Sequence, residues 1–135
     1  ARLSKLETAA FEDLRAFFTR AVERDAAAFR EVMAAYRRPK EERGPYVERA
    51  LEGATGVPLE VFSRAGELEA RLRELRAAAP AKFFSDVATA ESLARAAREG
   101  ARANVEINLE SLPEGEFRAK VRAALSEAGD ARPLS

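Results

Sequence analysis

The chain has 135 residues with no cysteine, histidine or tryptophan, and its 23 basic and 23 acidic residues cancel to a formal charge of +0. Disulfides, thiolates, Ser–His or Cys–His nucleophiles and zinc sites are therefore excluded within this sequence. The interleaved charges lack the basic excess that nucleic acid requires, and no apolar run approaches the roughly 18 residues of a membrane span.

These limits predict one cytoplasmic domain with neither nucleic-acid nor membrane partners. Much of the 47% hydrophobic content is alanine, which buries little area per residue and suits closely spaced helices. A thin core of that kind favours oligomerisation. The first residues are Ala-Arg-Leu-Ser rather than methionine, so upstream residues are expected to have been removed or left out.

A first helix is expected from Ser4, where Ser4 and Glu7 match a capping box, to about Arg37, before Pro39. Phe11, Leu14, Phe18, Val22, Ala26, Phe29, Val32 and Met33 recur at helical steps and are the expected buried stripe. Asp25, beside that stripe, is either a solvated carboxylate or a site residue. The following turn carries Tyr36, Arg37, Arg38 and Lys40 around Pro39. Such a cluster can grip a ligand carboxylate, or it can complement the negative end of the helix dipole.

A second helix begins near Pro45 or Tyr46, since proline suits a first turn. Its apolar positions Val47, Ala50, Leu51 and Ala54 are followed by Gly53, Gly56 and Pro58, which predict a kink or two abutting helices. Val57, Val61, Ala65, Leu68, Leu72 and Leu75 resume the period to about Ala78, and the charges of EARLRELR (69–76) read as a solvated face. A loop at 77–84 leads into a third helix of about seven turns, Ser85–Leu109, with Ser85 or Asp86 as its cap.

Asp86 and Asn104 lie five helical turns apart on one face, with Ala90, Leu93, Ala97 and Gly100 between them and Asn108 one turn on. A face so small can admit a neighbouring helix or wall a cleft. Glu91, Arg95, Arg98, Glu99 and Arg102 are expected on the exposed side. Asn104 and Asn108 are poor helix-interior residues; they belong either to a helix-end hydrogen-bond network or to a ligand site. After Leu112-Pro113 a last amphipathic helix turns Phe117, Val121 and Leu125 inward, and Gly129 to Ser135 is an expected frayed tail. With no repeat, glycine-rich phosphate loop or strand alternation, the fold class is all-α. It is an antiparallel bundle of about four to five long helices, one kinked near Pro58.

Four segments, RDAAAFREVMAAYRRPK (24–40), VPLEV (57–61), SDV (85–87) and ARAAREGARANVEINLESL (94–112), together resemble the formiminotetrahydrofolate cyclodeaminase and methenyltetrahydrofolate cyclohydrolase family. The resemblance spans most of the chain, in the family's order and at similar separations. Family members usually carry a glycine-rich Pro-Gly-Gly-Gly-Ser-Ala segment and a helix ahead of the part matching Ala1, and an asparagine-bearing loop where this chain has Pro80-Ala81-Lys82. The expectation is therefore a single cyclodeaminase-like helical domain over 1–135 that lacks its N-terminal segment and first helix.

The resemblance implies a homodimer or higher oligomer that binds a reduced folate and needs no metal or other cofactor. The implied reaction cyclises 5-formiminotetrahydrofolate to 5,10-methenyltetrahydrofolate and releases ammonia. The alternatives are methenyltetrahydrofolate cyclohydrolase, or a helical oligomerisation module of the same fold without catalysis. Within that frame Asp86 is the acid/base or pterin-anchoring candidate. Ser85, Asn104, Asn108 and Tyr36 would hold the substrate, and Arg37 and Lys40 would meet its glutamate tail.

Overall fold

A computed structural model describes residues 5–130. Helices α1 (Lys5–Tyr36), α2 (Gly44–Ala78), α3 (Phe84–Glu110) and α4 (Glu116–Asp130) follow one another, with a single 3-10 turn (Ala81–Phe83) before α3. No strand occurs among the described residues. The expected cap at Ser4 and the end of the expected frayed tail lie outside them; α4 itself runs through Gly129 to Asp130.

Cross-helix pairs fix the directions. Arg24 meets Glu60 and Arg64 meets Asp13, so residue numbers fall on α1 as they rise on α2. Arg76 meets Glu91 while Asn108 reaches Ala54, which makes α2 and α3 antiparallel as well. Helix α2 is the central rod, packed on α1, α3 and α4. It is one continuous helix through Pro58, with Pro45 in its first turn. Leu51, Phe62, Ala101, Val105, Leu109, Leu112, Val121 and Leu125 form the main apolar cluster, with Phe117 packed at its edge.

Three expectations are corrected. The expected stripe on α1 is only partly covered: Leu14 is buried, but Val22 (72% exposed), Phe29 (63%) and Met33 (41%) face outward. The helix instead meets its neighbours through small residues, with Ala21 and Ala35 buried. Its apolar arc is wider than one packing partner can cover, and periodicity reveals the arc without saying what covers it.

The second correction concerns charge. Glu69 and Glu91, expected on solvated faces, are 6% and 3% exposed. Glu69 lies one turn from Ala65 and Leu72, and Glu91 one turn from Val87 and Ala94, so both sit on the packed faces of α2 and α3. Four arginines compensate them. Arg73, Arg95 and Arg98 lie 3.3, 3.4 and 3.6 Å from Glu69, and Arg76 lies 3.1 Å from Glu91. Arg73 and Arg95 also reach Glu91, at 3.7 and 3.8 Å.

Third, neither Ser85 nor Asp86 caps α3. The helix begins one residue earlier, after the 3-10 turn, and its N-cap position is Phe83, which makes no side-chain capping bond. Asp86 lies in the first turn, where a carboxylate complements the helix dipole.

Candidate functional site

Pro58 builds the site. In a regular helix the amide of residue 58 would donate to the carbonyl of Ala54, but proline has no N–H to give. The Ala54 carbonyl is therefore without its helical partner. Across the interface, Asn108 Nδ2 donates to that oxygen at 3.3 Å. One amide of α3 thus completes the hydrogen bonding that the proline interrupts in α2, and the bond holds the Asn108 side chain in one orientation.

Around this junction lies a cleft of about 280 Å³, lined by Asp25, Phe29 and Val32 of α1, Leu51, Ala54 and Pro58 of α2, and Asn104, Ile107 and Asn108 of α3. Its walls are largely apolar, with one carboxylate and two carboxamides. Asp25 and Asn104 are exposed at the surface, whereas Asn108 is half-buried. Beside the cleft the Arg24 guanidinium grips Glu60 through two bonds of 2.9 and 3.0 Å, tying α1 to α2 one residue from Asp25 and two from Pro58. That hydrogen bonding, with the positive charge behind it, holds the Glu60 carboxyl below the usual carboxylate range against a smaller opposing effect of burial. In return it raises the Arg24 value.

Asn104 and Asn108 are thus brought together, and Asp25 joins them from a helix remote in sequence. Asp86 does not: it shares the face of Asn104, but five turns of α3 separate them by about 27 Å. Ser85 is exposed beside Asp86, and its carbonyl accepts a bond of 2.8 Å from the Thr89 hydroxyl.

Tyr36 follows Asp25, Phe29 and Val32 on the cleft side of α1. Its carbonyl accepts a bond of 3.2 Å from Arg43, whose guanidinium lies 5.4 Å from its ring centre. Arg43 therefore supplies the positive charge at the end of α1, and the sequence reading did not select it. Arg37 and Lys40 are exposed in the turn and line no part of the cleft. Gly53, Gly56 and Gly100 have no neighbour within 4 Å of where a Cβ would stand. At Gly100 the small-residue face of α3 accordingly has no helix packed against it among the described residues. Leu93 and Ile107 on that face are 66% and 62% exposed, and Ile107 lines the cleft together with Phe29. No group of three or more Asp or Glu residues suited to a metal ion occurs among the described residues, and no helix there is long and apolar enough to cross a membrane.

An all-helical domain with an apolar cleft, one carboxylate and paired carboxamides is the class the geometry defines. The family model for formiminotransferase-cyclodeaminase matches residues 3–127. The chain belongs to that family. A crystal structure of formiminotetrahydrofolate cyclodeaminase from Thermotoga maritima is similar, with 28% sequence identity and a TM-score of 0.80. The similarity covers 89% of this chain and 59% of that one, so the chain spans less than two thirds of the length of the Thermotoga protein. No curated protein matches the chain.

Proposed function

We propose that the protein acts on a reduced folate, cyclising 5-formiminotetrahydrofolate to 5,10-methenyltetrahydrofolate with release of ammonia. The observation that carries this reading is the convergence of Asp25, Asn104 and Asn108 on one cleft in a chain of this family. A cleft of about 280 Å³ suits the bicyclic end of a folate rather than the whole molecule. The apolar wall of Phe29, Val32, Leu51 and Ile107 would take the ring system.

Ring closure joins N10 to the formimino carbon, so the first requirement is to hold the two against each other. N10 then loses a proton and the departing nitrogen gains one. In this reading Asp25 accepts the N10 proton or anchors the pterin N–H edge, the role first given to Asp86. Asn108, oriented by its bond to Ala54, and Asn104 position the reacting edge. Asp86 serves the first turn of α3. The exposed Val22 and Leu93, outside the cleft lining, are covered by self-association, the homodimer or higher oligomer expected from the thin core.

The test is a calorimetric titration with 5-formyltetrahydrofolate, followed by an assay of ammonia release from the formimino compound. Saturable binding and ammonia release, both lost on Asp25→Asn and kept on Asp86→Asn, support the assignment. The reverse pattern returns the role to Asp86. Hydration of the methenyl form without ammonia release would make the protein a cyclohydrolase, and binding without turnover a non-catalytic module. Absence of binding would remove the folate reading.

A further inference from the structure

On the other side of α1 from the cleft lies a second and larger cavity, an open trough of about 710 Å³. Its floor is alanine: Ala27, Ala34 and Ala35 from α1 face Ala50 from α2. Longer side chains at these positions would fill the space between the helices. Around the floor stand Arg30, Arg38 and Arg49, with Tyr46 and a single carboxylate, Glu31. The rim thus carries three positive charges against one negative.

The arginines are not equivalent. Arg38 stacks its guanidinium over the Tyr46 ring at 3.6 Å from the centroid, which restrains it without using any of its N–H donors. Neither Arg38 nor Arg49 has a carboxylate partner among the described residues. Twelve other arginines, from Arg15 to Arg122, do. Arg30 pairs only loosely, at 3.8 Å, with the exposed Glu23, a contact of little worth that a ligand can displace.

We propose that this trough binds an organic anion, with its apolar body on the alanine floor and its phosphate or carboxylate oxygens held by Arg38 and Arg49. Guanidinium forks suit both kinds of oxyanion. The site is distinct from the folate cleft, shares no lining residue with it and does not depend on what the cleft binds.

The experiment titrates the full chain with phenyl phosphate, phthalate and inorganic phosphate at fixed ionic strength, read by calorimetry. Saturable binding of phenyl phosphate or phthalate, tighter than that of inorganic phosphate, is expected, and the stronger of the two identifies the preferred oxyanion. Arg38→Gln with Arg49→Gln weakens it about tenfold or more, as the loss of charge-assisted hydrogen bonds requires. Ala34→Leu, at an exposed helical position that tolerates leucine, narrows the trough and weakens binding with every arginine in place. Arg122→Gln on α4 removes one charge elsewhere and leaves the affinity unchanged. No saturable binding, affinity kept in the double arginine variant, or inorganic phosphate binding as tightly as the aromatic anions would each overturn the proposal.

Discussion

Helix α2 meets α3 in two contrasting ways along its length. Between Glu69 and Arg76 the junction is ionic and closed, with two buried carboxylates surrounded by four arginines. Between Leu51 and Pro58 it is neutral and open, joined by one amide-to-carbonyl bond at the edge of a cleft. Buried charge is tolerated only where partners compensate it, so the ionic end has a single workable register. The neutral end costs less to keep open, and that is where polar groups remain for a ligand. The contrast separates the part of the molecule that sets the helix pairing from the part available for chemistry.

The largest expected effect comes from breaking the ionic end. Arg73→Ala with Arg76→Ala leaves Glu91, whose side chain is 4% exposed, facing Arg95 alone at 3.8 Å. A buried carboxylate stripped of its nearest partners costs about 3 kcal/mol. Urea unfolding followed by circular dichroism should show that loss. Glu91→Leu should cost about 1 kcal/mol or less, because its arginines are partly exposed and return to water. Equal losses in the two variants would mean that packing rather than charge compensation governs this junction.

A smaller effect tests the neutral end. Asn108→Ala removes the donor to the Ala54 carbonyl and should cost about 1–2 kcal/mol. In a Pro58→Ala background the amide of residue 58 restores the helical bond to that carbonyl, so Asn108→Ala should then cost less. The double-mutant cycle should give a coupling of about 1 kcal/mol. A coupling near zero would show that water already serves the carbonyl and that the orientation of Asn108 has another cause.

These two junctions also show what was legible in the sequence. The helices, their order and the inward Val121 and Leu125 followed from periodicity and proline placement. Asn104 and Asn108 were selected because asparagine is out of place mid-helix, and the cleft contains both. Glu69 and Glu91 were misread because i,i+4 charge pairs look alike on a solvated face and at a compensated interface. Only their register with Ala65, Leu72, Val87 and Ala94 distinguishes the two. Asp86 and Asn104 share a face, but a shared face sets direction and not distance, and the axial separation is too large for one small cleft. The part played by Asp25 depends on how α1 lies on α2, and no local pattern encodes that.

The weakest expected effect lies at the Arg24–Glu60 clamp beside the cleft, where both groups are about half exposed. Glu60 has a lower value folded than unfolded, so the folded protein binds fewer protons there as the pH falls. Its contribution is complete above the ordinary carboxylate value of 4.5 and is lost as the pH drops through the depressed folded value. The stability difference between the wild type and Arg24→Gln should therefore be small and constant from about pH 6 to 8, and should shrink under acid below about pH 4.5. The raised value of Arg24 has no influence in that range, because the guanidinium is charged throughout. A difference that stayed constant below about pH 4.5 would show that the pair adds no charge-dependent stability. The clamp would then belong with the ionic end in name only, as a surface pair that aligns α1 beside Asp25 without stabilising the fold.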